Sequence, residues 1–182
     1  MELVKEEMVP GGDYGRIIKI MHRIYSPTKE GERAVDHFMV SAPNYTGVVC
    51  RRNDGKILLI RNFRDVSGQY GWEIPAGYEE AGETAWANGA REASEEAGLI
   101  VEFVKELPTL YLETLVSAKA RTFICNVVGS GSRNLDADEN IPGIKWFSAE
   151  EVEKLLFNNG ITDGHSYAAL MTYLYMLKEG KI

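Results

Sequence analysis

Apolar and polar positions change period along this chain, and the changes divide it into elements. Residues 15–25 (Gly-Arg-Ile-Ile-Lys-Ile-Met-His-Arg-Ile-Tyr) and 33–41 are rich in β-branched and apolar side chains and predict strands. Pro27 and the Lys29-Glu30-Gly31 stretch mark the turn between them. Two further runs, Tyr45–Arg52 and Lys56–Arg61, flank Asn53-Asp54-Gly55, a hairpin signal because glycine accepts positive φ without steric cost. From 84 to 97 the period becomes helical: Trp86, Ala90, Ala93 and Ala97 form a narrow apolar stripe, and Gly98 stops the helix. Strands return at about 100–114 and 119–128, followed by a polar loop from Gly129 to Asn140. Ser148-Ala149-Glu150-Glu151 is a capping box that opens a helix closed by Asn158-Asn159-Gly160. A last helix spans His165 to Lys178, with Ala168, Leu170, Met171, Leu174 and Leu177 as its expected buried positions. Strands on both sides of a central helix, with helices at the end, predict one α/β sandwich preceded by a small β subdomain.

Composition narrows the classes. At 182 residues, 45% hydrophobic and 26% charged, the chain suits a soluble fold with one sizeable core. A formal net charge of −7 argues against a nucleic-acid-binding surface, and no apolar run reaches membrane-spanning length. Cys50 and Cys125 sit in apolar stretches and read as buried free thiols of a reducing compartment. With a start too acidic for a signal peptide, they lead to the expectation of a cytoplasmic protein. His22, His37 and His165 lack metal-ligand spacing and read as structural or surface residues.

The candidate chemistry lies on the central helix. Glu92, Glu95 and Glu96 stand at i, i+3 and i+4, within an arc of about 100° on one helical face. Like charges this close repel, whereas a hard dication that prefers oxygen ligands would make their proximity favourable. An isolated Glu-x-x-Glu-Glu reads first as a solvated face, because short motif matches carry a high false-positive risk. The expectation is that one side of the helix packs through its alanines while the other presents three carboxylates.

The surroundings decide between those readings. From Gly77 the chain carries Glu83, Arg91, Glu92, Ala93, Glu95, Glu96, Gly98 and Leu99 at spacings that resemble the Nudix hydrolase box, G-x5-E-x7-R-E-U-x-E-E-x-G-U. Ala93 stands where the family more often has a larger aliphatic residue. The resemblance implies a Nudix α/β/α sandwich with a mixed central sheet, over residues 45–182. It also implies a Mg²⁺ cofactor, with Mn²⁺ as substitute, held by Glu92, Glu95, Glu96 and the backbone carbonyl of Ala76. Arg91 and Glu83 would tie the loop to the helix by charge-assisted hydrogen bonds.

Leu58-Leu59-Ile60-Arg61-Asn62-Phe63-Arg64 and Trp72-Glu73-Ile74-Pro75-Ala76-Gly77 look like the corresponding segments of ADP-ribose and nucleoside diphosphate sugar pyrophosphatases. By that likeness Arg64 contacts substrate phosphates, against the plain reading of an exposed arginine after a strand. Glu73 either binds substrate or braces the loop, bracing being preferred. The acidic stretch Asp136-Ala137-Asp138-Glu139-Asn140 is similar to the loop that carries the catalytic base in these enzymes. Glu139 is the candidate base, acting with Glu95 and Glu96; a merely solvated loop is the competing reading. The segment Thr109–Lys119 lacks the Pro-Gly pair usual in ADP-ribose enzymes, which favours a broader nucleoside diphosphate sugar activity. The same resemblance implies a homodimer in which the strands of residues 1–44 are exchanged, with Arg51, Arg52 or Tyr25 near the partner's site. Hydrolysis of nucleoside triphosphates or RNA 5′ ends, and a non-catalytic nucleotide-sugar sensor, are the rivals.

Overall fold

A computed structural model of the chain describes residues 2–14, 18–111, 113–135 and 140–182, with the backbone alone for 11–14. The chain forms two units, one of residues 1–44 with 111–119, the other of residues 45–110 with 120–182. The expected base Glu139 and its neighbours Asp136 and Asp138 lie outside the described residues.

In the first unit, β1 (Glu2–Tyr14), β2 (Ile18–Ser26) and β3 (Val35–Ser41) form an antiparallel sheet in that order. The sequence pattern contains no strand signal for β1, because Lys5, Glu6 and Glu7 break the alternation. Those charges find cross-strand partners instead: Arg23 donates to Glu6, and His22 meets Glu7 and Asp36 on either side. The stretch 111–119 lies along β3, where the Val40 N–H donates to Leu115 O at 2.7 Å and the Ser117 N–H to Val40 O at 2.9 Å.

The second unit contains β4 (Tyr45–Arg51), β5 (Ile57–Arg64), β6 (Gln69–Glu73), β7 (Ala76–Tyr78), α1 (Ala85–Ala97), β8 (Leu99–Glu106), β9 (Leu110–Tyr111), β10 (Lys119–Ser130), β11 (Gly143–Phe147), α2 (Ala149–Phe157) and α3 (Gly164–Lys178). Its central order is β11-β5-β4-β10-β8. The sheet is mixed, since β10 runs parallel to β4 while β8, β5 and β11 pair antiparallel. Alternation along the strands builds a core on each face. Val48, Cys50, Leu58, Ile60, Phe123 and Cys125 pack with Ala93 and Ala97 of α1. Val49, Ile57, Leu59 and Ile124 pack with Val152 and Leu156 of α2 and Leu170 and Tyr173 of α3. The α/β/α sandwich is therefore present. Among the described residues no helix is long and apolar enough to cross a membrane.

Three expectations need correction. The strand expected over 100–114 ends at Glu106: Pro108 cannot donate to a ladder, and the chain breaks off after Leu107 donates to Thr122 O at 2.9 Å. The buried side of α3 is His165, Ser166, Ala169, Leu170 and Tyr173, while Met171 and Leu177 are exposed. A polar N-terminus fixes that rotation, because Asp163 caps the helix and the Ser166 hydroxyl accepts the Ile74 N–H at 3.2 Å. The third concerns the carboxylates of α1 and belongs to the site.

One topological feature makes that site. β4 and β5 pair only at Arg51 with Ile57, beside the Asp54-Gly55 turn, and then diverge. β6 follows β5 and β7 follows β4, so the turn Ile74-Pro75-Ala76 crosses between the parted strands.

Candidate active site

Helix α1 is carried to this split by small residues. A Cβ at Gly89 would lie 2.8 Å from Val48 Cγ1 and 3.1 Å from Thr46 Cγ2, so the helix axis approaches β4 as only glycine permits. Thr84 caps the start by accepting the Ala87 N–H at 3.2 Å, and Gly98 ends the helix at φ 66°. Gly98 is required twice, since a Cβ there would lie 2.7 Å from Gly131 O.

This docking rotates the helix away from the expected orientation. The buried positions are Ala85, Asn88, Gly89, Glu92, Ala93, Glu96 and Ala97; Trp86 and Ala90 are half-buried. Glu92 and Glu96 therefore turn inward, at 5% and 2% exposure, and Glu95 alone of the three is substantially open. The crossing turn provides the partners that make this burial tolerable. Glu96 Oε2 accepts the Ala76 N–H at 2.8 Å. The Glu92 carboxylate lies over Gly77, where a Cβ would be 2.5 Å from Glu92 Cδ and closer still to Oε1.

Arg91 gathers the charges. Its guanidinium lies 2.6 Å from Glu95 Oε2, 2.9 Å from Glu92 Oε1 and 3.5 Å from Glu83 Oε1, and it donates to Asn88 Oδ1. The three carboxylates hold it firmly cationic against the opposing effect of burial. Asn88 in turn donates to Gly77 O at 3.1 Å, which binds the loop to the helix. At the far end of α1, Arg133 donates to the carbonyls of Glu96 and Ile141, and the Asn134 N–H reaches Glu95 O. The described flanks of the acidic stretch are thereby anchored at the carboxylate end of the helix.

Arg64 and Glu73 form the second half of the site. Arg64 Nε and Nη2 donate to the two oxygens of Glu73 at 3.0 and 2.7 Å, a forked pair. Glu73 is 1% exposed and Arg64 about two-fifths exposed, so a buried anion supports a cation open to solvent. Burial raises the Glu73 pKa and Arg64 opposes that shift. Tyr45 joins the halves: its hydroxyl donates to Ala76 O at 3.1 Å, and it interacts electrostatically with Arg64. Burial pushes its phenol far above the usual range, with Arg64 opposing, so it stays a donor. Arg51 is not brought to this group. It lies four residues further along β4 from Gly47, roughly 13 Å at strand rise, and donates to Asn126 Oδ1 at 2.7 Å.

Tyr45, Asn88 and Arg133 escaped sequence reasoning. An asparagine inside a strong helix was the one available signal, since asparagine favours caps over interiors. Among the described residues no three His, Cys, Asp or Glu side chains are set around an ion position. The donor types nevertheless suit a hard dication: Glu92 and Glu96 reach the Ala76–Gly77 turn from α1, and the missing side chain of Gly77 makes room for the Glu92 carboxylate.

Known proteins resemble this chain in sequence and in fold. A family model for the NUDIX domain matches residues 42–170. A CMP-5'-(N-acetyl-N-hydroxy-3-aminopropyl)phosphonate hydrolase of Streptomyces rubellomurinus is 28% identical over 130 residues, 69% of this chain and 61% of that protein. A MutT-like protein of Streptomyces ambofaciens is 36% identical over 108 residues, 59% of this chain and 64% of the relative. Nudix hydrolase 5 of Arabidopsis thaliana is 25% identical over 119 residues, 62% of this chain and 38% of its own length. The chain thus spans less than two thirds of each of these relatives. The crystal structure of an ADP compounds hydrolase shares the fold, with a TM-score of 0.74 at 17% identity over 99% of this chain and 96% of that one. With the box residues gathered on one turn and the family model covering most of its length, this chain belongs to the Nudix hydrolase family.

Proposed function

We propose that this Nudix hydrolase cleaves the diphosphate of a nucleoside diphosphate sugar, such as ADP-ribose or GDP-mannose, to a nucleoside monophosphate and a sugar phosphate. The observation that carries this reading is the junction at Ala76. There the carboxylate helix and the forked Arg64–Glu73 pair meet on one backbone turn. Anion-binding and cation-binding groups side by side suit a diphosphate bridged by a divalent ion. Two similar proteins lend support, one a hydrolase of ADP compounds and the other of a CMP-linked phosphonate.

Glu92, Glu95, Glu96 and the Ala76 carbonyl would hold Mg²⁺ or Mn²⁺. When bound, such a cation offsets diphosphate charge and lowers the pKa of water. Arg64 binds phosphate oxygens as a planar fork, and Glu73 keeps that fork aimed without contacting substrate. Arg91 pairs with Glu92 and Glu95 and orients them. Glu139 takes the proton of the attacking water as general base. The enzyme would act in the cytoplasm as a homodimer, the strands of residues 1–44 completing the partner's base pocket with Arg51, Arg52 or Tyr25. Exposed Leu3, Val4, Met8 and Phe38 on those strands suit such an interface.

A phosphatase-coupled screen over ADP-ribose, GDP-mannose, UDP-sugars, dinucleoside polyphosphates and nucleoside triphosphates tests the substrate class. Phosphate release from nucleotide sugars, dependent on Mg²⁺ and lost in Glu96→Gln, is expected. Turnover confined to triphosphates would refute the assignment. Tight binding of nucleotide sugars without product would instead show a sensor.

A further inference from the structure

The Tyr45 ring is held more tightly than a strand-end tyrosine requires. It meets Tyr78 and His165 edge-on, with centroids 5.4 and 5.2 Å away at 70° and 65°. His165 is itself fixed: it is 1% exposed, and Nε2 bonds Thr122 Oγ1 at 2.8 Å. Its ring also presses on the backbone of β4, where a Cβ at Gly47 would lie 2.8 Å from Cε1. Two rings on different elements therefore leave the phenol little freedom to swing. Its hydroxyl is aimed at the Ala76 carbonyl, where it also feels the Arg64 charge.

Each of those groups already has another partner. Glu73 grips Arg64 from its buried side, and Glu96 accepts the N–H of Ala76. Neither contact sets Arg64 relative to the Ala76 carbonyl. The peptide that follows Ala76 enters Gly77, the residue type least able to restrain its own backbone. A hydroxyl that donates to the carbonyl beside the guanidinium can hold the two in register, and leaves the carbonyl its second lone pair.

We propose that Tyr45 is a positioning residue whose hydroxyl locks the phosphate-binding Arg64 and the cation-binding Ala76 carbonyl into one geometry, with His165 as its buttress. The inference rests on the diphosphate-hydrolase reading above and adds the residue that couples its two halves.

The test is Tyr45→Phe, which keeps the ring contacts and removes only the oxygen. Mn²⁺ alone is titrated into the nucleotide-free protein and followed by electron paramagnetic resonance, beside thermal unfolding and kcat/KM on the best nucleotide sugar. Mn²⁺ binding is expected to weaken about five- to tenfold, the scale of one lost hydrogen bond, with an unchanged unfolding midpoint. The kcat/KM should fall at least as far, and the same substitution should cost less in an Arg64→Ala background. Mn²⁺ affinity equal to wild type, or equal costs in both backgrounds, would overturn the coupling. A fall in the unfolding midpoint with no specific loss of Mn²⁺ binding would reduce Tyr45 to a packing residue. A wild-type protein that neither binds Mn²⁺ nor hydrolyses nucleotide sugars would instead remove the reading beneath it.

Discussion

Gly77 lacks a side chain because Glu92 occupies the space one would fill. Gly77→Ala should therefore displace Glu92, lower stability by about 1–3 kcal/mol as overpacking does, and reduce turnover by more than the stability loss explains. Equilibrium urea unfolding and steady-state kinetics on one preparation separate the two effects. Arg64 and Glu73 make a different prediction. Arg64→Ala strands a carboxylate at 1% exposure and should cost about 1–3 kcal/mol, less than a fully buried pair because Arg64 is partly solvated. Replacing both by Gln and Met should recover much of that stability but no activity. At this scale the box was legible in sequence, because its spacing is dictated by one helix and one turn. The inward direction of Glu92 and Glu96 was not. A period count scores apolar side chains, whereas Gly89 and Asn88, which set the rotation, carry no apolar signal.

Helix α1 works through how closely it approaches the sheet. Gly89→Ala puts a methyl against Val48 and Thr46 and should push the helix outward, loosening Glu96 from the Ala76 N–H. Reduced amide-exchange protection at Ala76, with the rest of α1 still protected, would reveal that shift. Helix α3 has a pH-dependent element in His165. Burial lowers its pKa, while Asp163 and the Arg121 backbone oppose the shift. The unfolded chain then binds more protons than the folded one, so stability is present above about pH 6.5 and falls as acidification protonates the ring. His165→Gln should flatten the stability profile below about pH 6.5 relative to wild type; parallel profiles would show that His165 contributes nothing there. The extent of α2 could be read from its caps, and that of α3 from its run of apolar and helix-forming residues. β1, β6 and β7 could not: β1 is held by charge pairs, β6 is only five residues long, and β7 is three residues long and pairs with the distant β4.

Across the whole molecule, the divergence of β4 from β5 is what turns an acidic helix into a reactive site. It opens the sheet where the Ala76 turn can receive carboxylates from α1 on one side and the Tyr45 hydroxyl on the other. No local pattern announces such a divergence, because both strands hold continuous buried runs while their pairing ends. The family model and the shared fold of the ADP compounds hydrolase agree with that architecture. The substrate is the step that remains to be measured. The most direct test compares wild type and Glu96→Gln for release of nucleoside monophosphate from ADP-ribose and GDP-mannose, over a Mg²⁺ titration with a chelator control. The account predicts turnover that rises from zero with Mg²⁺ and falls at least about a thousandfold in Glu96→Gln, with the variant folded as wild type. Wild-type rates in the variant at saturating Mg²⁺, or equal turnover in the chelator, would contradict it.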